Sequence, residues 1–441
     1  MSELALLGGQ RAVTRDPDDM FTWPIITRED EDAVMEVLRR RAMSDTDITA
    51  AFEKAFAAWM GQEYAVGCSS GTAALQAAMY AVGLRAGDEL ICPSMTYWAS
   101  CLQAFSLRAT VVFADVDPQT LCIDPNDIEH RIGPRTKAIM AVHYLSHPAD
   151  MDPIMDIARR HGLMVIEDVS HAQGGLYKGR KLGTIGDVAA MSLMSGKSFA
   201  TGEMGILTTN DRRIWEHALA LGRYELFNAN NVTESEDIIP GRGLPLGGYK
   251  YRPHQMSSAL GLTQLKHYDE RIAEIDRAMN YFLDGLEGLP GVRPLRPPKG
   301  EGSTMAGWYC AHAHYLPEEL HGLSVTRFVE AVLAEGVQGG VFAGANRALH
   351  THPLMNTMDV YGDGRPTRIA FAERDVRALD TGLEHSEAVG QRTFGLPWFK
   401  HFRPEIIDEY IAAFRKVIER HEELLPGDPG NPPNLGKWFA F

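Results

Sequence analysis

The sequence predicts an α/β protein whose larger domain is built on a mostly parallel sheet of about seven strands. Three observations lead to this fold class. Short apolar runs alternate with helical segments from Tyr64 to Asp211. The strand-like runs are almost continuously apolar, as expected when both faces of a sheet are covered. The 441 residues are enough for two or three domains with a large core.

The elements of this domain follow one another with little chain between them. The runs that have the composition of strands are EYAVGCS, DELICPS, TVVFADVD, KAIMAVHYL, LMVIEDVS, VAAMSLMSG and MGILTTND. The intervening segments with helical patterns are TAALQAAMYAVG, YWASCLQAFSL, DPNDIEHRI and DPIMDIARRHG. Repeated alternation of strand and helix favours parallel pairing. Since no GxGxxG follows the first strand, a dinucleotide site is not expected.

The second half of the chain predicts a boundary and a smaller domain. Residues 223–248 are rich in Asn, Gly and Pro and read as a long irregular loop. A helical pattern from 254 to 286 then links the large domain to the rest, and GLPGVRPLRPPKGEG marks a turn-rich boundary. We therefore expect an N-terminal arm and large domain over 1–285 and a small α+β domain over 286–441.

The composition limits the classes of partner. The chain has 43 Lys and Arg against 58 Asp and Glu, a net charge of −15, which argues against nucleic acid or an anionic membrane surface. Five cysteines without a CxxC pair indicate a reducing compartment. Neither a signal peptide nor a spanning apolar stretch is evident, so we expect a soluble, cytoplasmic protein. His350 and His352 lack other ligands at metal spacing, so no metal is expected.

A small-residue segment, GCSSGTAALQ, lies where the first strand ends and a helix begins. The free N–H groups of a helix N-terminus form an anion site, and a phosphate can be held by such backbone groups alone. Gly71, Thr72 and Ala73 would supply these donors. The alternative interpretation is an ordinary N-cap without any ligand, since Ser and Thr are preferred there.

A carboxylate ends the strand in IEDVSHA. Asp168 is predicted at the carboxyl edge of the sheet, where ligands bind in open α/β folds, and a carboxylate there needs a cationic partner. A protonated pyridine nitrogen is such a partner, and its charge makes the ring an electron sink in pyridoxal phosphate chemistry. His171 could contact the phenolic oxygen of that ring. Alternatively, Asp168 caps a turn at the end of its strand.

A lysine and an aromatic residue follow two other strands at the same edge. Lys197 comes after an apolar strand and among small residues in MSLMSGKSFATGEMG, where burial would depress its pKa and allow a Schiff base. Ser192 on the same segment could face the phosphate. Tyr97 or Trp98 in PSMTYWAS could stack on a planar ring. The alternatives are a solvated surface lysine and an aromatic residue of the core.

Together these segments resemble the DegT/DnrJ/EryC1/StrS family, aminotransferases of fold type I that act on keto sugars and keto cyclitols. The resemblance is dense from Phe21 to Asp211 and continues through GGYKYRPHQMSSALGLTQL. The matching segments there are FTWPIIT, FEKAFAAWMGQEYAV, SSGTAALQAA, GLRAGDELICPSMTY, ADVDPQTLCIDP, RTKAIMAVHYL, IEDVSHAQGGLYKGRKLGTIGD and KSFATGEMGILTTND. The resemblance implies the pyridoxal phosphate-dependent transferase fold and a homodimer whose active sites are each completed by the partner chain.

The resemblance also implies a role for individual residues. Lys197 matches the Schiff-base lysine and Asp168 the carboxylate on the pyridine nitrogen, and these two are the predicted catalytic residues. His171 stands at a ring-oxygen contact where the family often has Gln. The other matches are Gly71, Thr72, Ala73 and Ser192 at the phosphate and Tyr97 as the stacking aromatic.

Two positions depart from the family pattern. GYKYRP places Lys250 where the family's GxNYRM has an Asn that reaches the partner's phosphate, so Lys250 would act there as a point charge. GEMG places Met204 where the family has Gly. Both departures bear on the substrate more than on the cofactor.

The resemblance implies transfer of an amino group from L-glutamate or L-glutamine to a keto sugar or keto cyclitol, with pyridoxamine phosphate as the intermediate form of the cofactor. The SHA and SGK variants and the leading ALLGGQRAV are similar to the branch that aminates cyclitols, including inosose aminotransferases. Three alternatives stay open. They are a sugar dehydratase, whose relatives replace the lysine by His, an enzyme for a non-sugar ketone or aldehyde, and a pyridoxal phosphate-bound regulator, for which the chain shows no basic stripe.

Overall fold

The computed structural model describes residues 4–223 and 225–438 and contains the predicted large sheet. Its seven strands lie in the order β1-β9-β8-β5-β4-β2-β3. β9 is antiparallel to its neighbours β1 and β8, and the other pairs are parallel. In chain order, the strands of this sheet are β1 Tyr64–Cys68, β2 Glu89–Pro93, β3 Thr110–Ala114, β4 Thr136–Val142, β5 Met164–Asp168, β8 Val188–Ser192 and β9 Gly205–Thr209. The prediction of a mostly parallel seven-stranded sheet is confirmed.

Smaller strands and the helices complete the described chain. A hairpin pairs β6 Leu176–Tyr177 with β7 Arg180–Lys181, and a three-stranded antiparallel sheet joins β10 Val292–Pro294, β11 His312–Tyr315 and β12 Thr393–Gly395. The α-helices are α1 Arg28–Arg39, α2 Asp47–Met60, α3 Gly71–Ala81, α4 Gln103–Ser106, α5 Pro125–Arg131, α6 Met151–His161, α7 Arg212–Gly222, α8 Glu225–Asn231, α9 Gln255–Leu286, α10 Val325–Ala334, α11 Pro353–Asn356, α12 Glu384–Arg392 and α13 Pro404–Glu419. None of these helices, within the described residues, has the length and apolar character needed to cross a membrane.

Short 3₁₀ turns connect many of these elements. They are Ala5–Leu7, Trp98–Ser100, Tyr144–Ser146, Ile239–Gly241, Pro317–Leu320, Leu349–Thr351, Thr367–Ile369, Val376–Leu379 and His421–Gly427. The segment YWASCLQAFSL, predicted as one helix, is a 3₁₀ turn followed by α4. Ser106 explains part of this difference, because its Oγ donates to the carbonyl of Gln103 at 2.6 Å and so competes with regular helical bonding.

The loop predicted over 223–248 is more ordered than its composition indicates. It contains α8 and a 3₁₀ turn, so the expectation of an irregular stretch is wrong in part. A buried carboxylate supplies the order. Glu216 of α7 accepts N–H bonds from Thr233, Glu234 and Ser235 at 3.1, 3.1 and 2.7 Å. Backbone donors of a polar loop are thus satisfied from the preceding helix.

The buried apolar side chains form two hydrophobic clusters. The larger cluster surrounds the seven-stranded sheet. The smaller one combines α10, α13 and β11 with Leu4, Val13 and Met20 from the N-terminal arm. Helix α9 contributes Tyr268 to the first cluster and Ile275 to the second. The division of the chain at residue 285 stays a prediction.

Residues 349–383, here called the edge segment, return from the second half of the chain to the large sheet. Their apolar side chains join the larger cluster beside the outermost strand, β3. Fully buried Arg368 donates from Nε to the carbonyl of Val111 at 2.8 Å. The same guanidinium binds both carboxylate oxygens of Asp380 at 2.5 and 2.8 Å. The edge of the sheet is therefore covered by a segment that a buried ion pair stabilises.

Candidate active site

A cavity of about 250 Å³ lies at the carboxyl edge of the parallel strands. This is the edge where open α/β sheets bind their ligands. Seven of the predicted residues line it, namely Gly71, Thr72, Tyr97, Asp168, His171, Ser192 and Lys197. The lining also contains polar and aromatic residues that no sequence motif indicates, namely Ser70, Thr96, Ser100, Tyr144, Ser170, Glu203, Tyr309, Cys310, His312, Phe342 and Asn346.

A larger groove of about 940 Å³ runs between Pro118–Leu121 and Arg293–Pro298. Its cations are already paired, for example Arg293 with Glu319 at 2.6 Å and Arg392 with Glu318 at 2.8 Å. Size alone would favour this groove, but the smaller cavity is the one that combines a buried lysine with a carboxylate at a strand end. We therefore place the candidate site in the smaller cavity.

The anion cradle predicted at the start of α3 is built by close backbone packing. A Cβ on Gly71 would lie 2.5 Å from Cβ of Ser192, and one on Gly205 would lie 2.2 Å from the carbonyl oxygen of Ser70. Glycine is therefore required at both positions. The first-turn N–H groups of a helix have no intrahelical partners, so those of Gly71 and Thr72 are suited to hold a phosphate.

Ala73 lies outside the cavity lining. Its N–H donates to Oγ of Ser70 at 3.1 Å, because Ser70 is the N-cap of α3. The capping interpretation thus holds for Ser70 and Ala73, while Gly71 and Thr72 border the cavity. The sequence could not separate the two functions, since both depend on small residues at the same helix start.

Asp168 ends β5 and is held by two donors. Oγ of Ser100 donates to Oδ2 at 2.8 Å, and the backbone N–H of Ser170 donates to Oδ1 at 3.0 Å. Ser100 is itself 2.9 Å from Oγ1 of Thr96. The side chain is buried, with 5% of the residue exposed. A carboxylate fixed in this way can accept one further bond from a cationic ring N–H.

His171 is a neutral hydrogen-bond donor in this cavity. Its Nδ1 accepts the backbone N–H of Leu145 at 3.3 Å, which leaves the proton on Nε2. Burial, together with the charge of Lys197, holds the pKa of the imidazole well below 6.5. The ring packs against Tyr309 at 4.8 Å and Tyr144 at 5.8 Å between centroids. This packing defines the direction in which Nε2 can donate.

Lys197 is buried, with 8% of the residue exposed. Burial lowers the pKa of its amine from 10.5 to about 8, although Cys310 and Asp168 act in the opposite direction. Its Nζ lies 4.1 Å from the centre of the Tyr309 ring. Its carbonyl accepts Nε1–H of Trp23 from the N-terminal arm at 2.8 Å. About a tenth of the amine is therefore neutral and nucleophilic at pH 7, far more than for a lysine with its ordinary pKa.

The two departures from the family pattern lie away from the cavity in this chain. Met204 is fully buried, and its Sδ is 4.0 Å from Oγ of Ser258 on α9. Its methyl group would be 2.8 Å from a Cβ on Gly67, so Met204 fills the core behind β1. Lys250 is exposed and does not line the cavity of its own chain. Met204 is thus a packing residue.

The cavity residues that the sequence does not indicate lie in two parts of the chain. Ser100 lies in the segment already singled out for Tyr97, and its Asp168 contact could have been suspected from the shared sheet edge. Tyr309, Cys310 and Phe342 come from the second half of the chain. No motif marks these residues, because their position depends on how the two clusters pack.

The residues present fit pyridoxal phosphate. Gly71 and Thr72 offer backbone donors at a helix start, as a phosphate requires. Asp168 offers a fixed carboxylate for a pyridinium, and Lys197 offers a buried amine for a carbonyl carbon. Tyr97 borders the same cavity. These groups would thus bind different parts of the cofactor, namely its phosphate, its pyridine nitrogen, its carbonyl carbon and its ring face.

Comparison with known proteins gives the same result. The family model described as the DegT/DnrJ/EryC1/StrS aminotransferase family matches residues 24–415. The chain is 38% identical over 371 residues to GDP-perosamine synthase of Caulobacter vibrioides, covering 83% of this chain and 89% of the relative. It is 33% identical over 417 residues to L-glutamine:2-deoxy-scyllo-inosose aminotransferase of Streptoalloteichus tenebrarius, covering 91% and 95%.

A solved structure, an aminotransferase from Psychrobacter cryohalolentis, superposes with a TM-score of 0.78 at 28% identity and covers 91% of this chain and 99% of its own. The expected fold, the pyridoxal phosphate cofactor and the aminotransferase class are confirmed. The chain belongs to the DegT/DnrJ/EryC1/StrS aminotransferase family.

Proposed function

We propose that this enzyme transfers an amino group from L-glutamine or L-glutamate to a keto cyclitol or a keto sugar. The observation that carries the proposal is the burial of Lys197 in one cavity with Asp168 at the carboxyl edge of the sheet. Relatives at 33–38% identity are named for a glutamine:inosose amino transfer and for a GDP-perosamine synthase. They support an oxygenated ring as the acceptor.

In this mechanism Lys197 anchors the cofactor and then moves the proton. When bound, pyridoxal phosphate supplies an electron sink for the carbon that loses its proton. Nζ of Lys197 would hold the cofactor's carbonyl carbon, and once free, the amine would take the Cα proton of the amino donor and hold it until it is returned to carbon. The low pKa of Lys197, about 8, keeps part of the amine neutral for this step. The same residue acts in reverse when the acceptor is aminated.

The other predicted residues orient the reaction. Asp168 holds the ring nitrogen protonated, and Ser100 and Ser170 fix its carboxylate. His171 would donate from Nε2 to the ring oxygen, because its Nδ1 already accepts from Leu145. Ser192 and the first turn of α3 would hold the phosphate, and Tyr97 would stack on the ring.

We infer a homodimer in which Lys250 acts on the partner's phosphate. Lys250 is exposed in its own chain, as a residue reserved for a partner would be. Apolar Leu244 and Leu246 nearby are 70% and 41% exposed, which supports an interface there. All five cysteines are free, four of them buried, which supports a cytoplasmic location.

The role of Lys197 is tested by Lys197→Ala. We expect the variant to bind the cofactor without the visible band of a lysine-bound form and to lose catalytic turnover. Lys178→Ala is the matched control, since Lys178 is an exposed lysine paired with Asp152 at 2.8 Å. Many turnovers by the Lys197→Ala variant without added amine would refute the proposal.

The acceptor is tested in two stages. L-glutamine, L-glutamate and other amino acids are first screened for bleaching of the bound cofactor. Keto cyclitols and nucleotide-linked keto sugars are then offered to the aminated enzyme. We expect one of these two classes to restore the colour. If neither class reacts while a simple ketone or aldehyde does, the oxygenated-ring acceptor is wrong and the non-sugar alternative replaces it.

A further inference from the structure

A strained segment, Met305–Cys310, here called the strap, borders the cavity through Tyr309 and Cys310. Ala306, Trp308 and Cys310 have φ values of 51°, 54° and 54°. Left-handed backbone is uncommon for residues other than glycine, and the strap adopts it at every second position. Such conformations persist only where the surroundings enforce them, and they cluster at functional sites. The strap is therefore expected to position a functional side chain.

The strap is held against the residue that follows Lys197. A Cβ on Gly307 would lie 2.3 Å from Cβ of Ser198, so the strap backbone touches the lysine segment directly. The carbonyl of Gly307 accepts Nε1–H of Trp398 at 2.8 Å. Trp308 donates from Nε1 to Asp276 on α9 at 2.7 Å. The strap is thus fastened at Gly307 and Trp308, the two residues that precede Tyr309.

This fastening leaves the Tyr309 ring in one position. The carbonyl of Tyr309 accepts Oγ–H of Ser146 at 2.9 Å. The ring is buried and meets His171 edge-on at 4.8 Å. Its face is turned to Lys197, with Nζ 4.1 Å from the ring centre. This distance is well inside the ~6 Å range in which an ammonium is attracted to an aromatic face.

We propose that Tyr309 is a further catalytic residue, whose ring face stabilises the ammonium group that Lys197 carries after it has taken the proton. The inference rests on the proposed function. During transfer, the proton leaves the donor's Cα, resides on Nζ and is returned to carbon, so no net proton is gained. The ring stabilises the charged stage without forming a bond that would have to be broken. The strained backbone of the strap keeps the Tyr309 ring beside Nζ of Lys197.

The inference is tested on the apoenzyme through the charge state of Lys197. The pH dependence of arylation of Lys197 by trinitrobenzenesulfonate, followed by peptide mass spectrometry, reports its pKa, and Lys197→Ala gives the background. Tyr309→Phe keeps the ring face, whereas Tyr309→Leu removes it. We expect Lys197 to have the same pKa in Tyr309→Phe as in the wild type. In Tyr309→Leu we expect its pKa to be lower by about 0.5–1.5 pH units. Phe342→Leu, another aromatic of the cavity, should leave it unchanged.

Other charges near the lysine are constant across the series. Asp168, Cys310 and His171 are the titratable groups whose charges couple to Lys197, and none of them is substituted. The Tyr309 hydroxyl, which hydrogen-bonds Cys310, is absent from both Tyr309→Phe and Tyr309→Leu, so the comparison of these two variants isolates the ring face. Circular dichroism checks that each variant folds. If Tyr309→Leu does not fold, Tyr309→Met takes its place, because the unbranched methionine side chain fills gaps more readily. The inference would be overturned if the pKa of Lys197 were equal in all variants, or if Tyr309→Phe and Tyr309→Leu shifted it by the same amount. The proposed function would fail separately, through a wild type that forms no lysine-bound cofactor.

Discussion

Adding one methyl group at Gly71 should damage the site through sterics alone. The φ of Gly71 is not in the left-handed region, so alanine can adopt its backbone, and alanine is about 1 kcal/mol better than glycine inside a helix. The new Cβ, however, would lie 2.5, 2.7 and 2.9 Å from Cβ, Cα and N of Ser192. Carbon atoms normally approach to about 3.5–4.0 Å. The start of α3 must therefore move by roughly 1 Å or more away from β8.

This displacement acts on both stability and cofactor binding. We expect Gly71→Ala to lower the free energy of unfolding by about 1–3 kcal/mol, as overpacking does. A shift of this size at a positioning group should lower kcat/KM by roughly 100-fold. Urea unfolding measures the change in stability, titration with pyridoxal phosphate the change in cofactor affinity, and initial rates at saturating cofactor the change in kcat/KM. Gly427→Ala is the control, because its Cβ would meet only the flexible end of Arg327. Wild-type stability and cofactor affinity in Gly71→Ala would refute the reasoning.

Three further predictions concern single contacts. Ser100→Ala leaves Oδ2 of Asp168 without its 2.8 Å donor, so the cofactor should be released about tenfold faster on dialysis, as for the loss of about 1.4 kcal/mol. An unchanged release rate would show that Ser100 does not support the site. Because burial lowers the pKa of Lys197 to about 8, the rate of cofactor uptake by the apoenzyme should rise through about pH 8 and then level off, and a midpoint near 10.5 would contradict this. Asp380→Ala leaves buried Arg368 unpaired, so the free energy of unfolding should fall by about 3–5 kcal/mol, and a fall below 1 kcal/mol in urea would exclude the argument.

Much of the large domain could be predicted because its determinants are local. Each strand is an apolar run bounded by turn residues, and alternation with helices decides parallel pairing. The same logic places Asp168 and Lys197 at one edge, since parallel strands end together. The cradle at Gly71 follows from small residues at a helix start. These features need only neighbouring residues and the general rules of sheets.

The rest depends on contacts between distant parts of the chain. Tyr309 meets Lys197 only because the strap is anchored to α9 and Trp398. The ordered loop after α7 depends on one buried carboxylate, Glu216, whose role no composition reveals. Ala73 was assigned to the phosphate because a cap and an anion site share the same residue types. Packing partners, and not residue types, decide these cases.

The edge segment has a consequence for the synthesis of the protein. β3 is complete at Ala114, yet Arg368 and Asp380, which close its edge, are made more than 250 residues later. Until then, β3 is an apolar strand with unpaired N–H and C=O groups that can pair with another chain. A growing chain is therefore vulnerable to aggregation for most of its translation. Variants of Arg368 or Asp380 should accumulate as inclusion bodies at fast expression, even where the finished protein is stable enough to work.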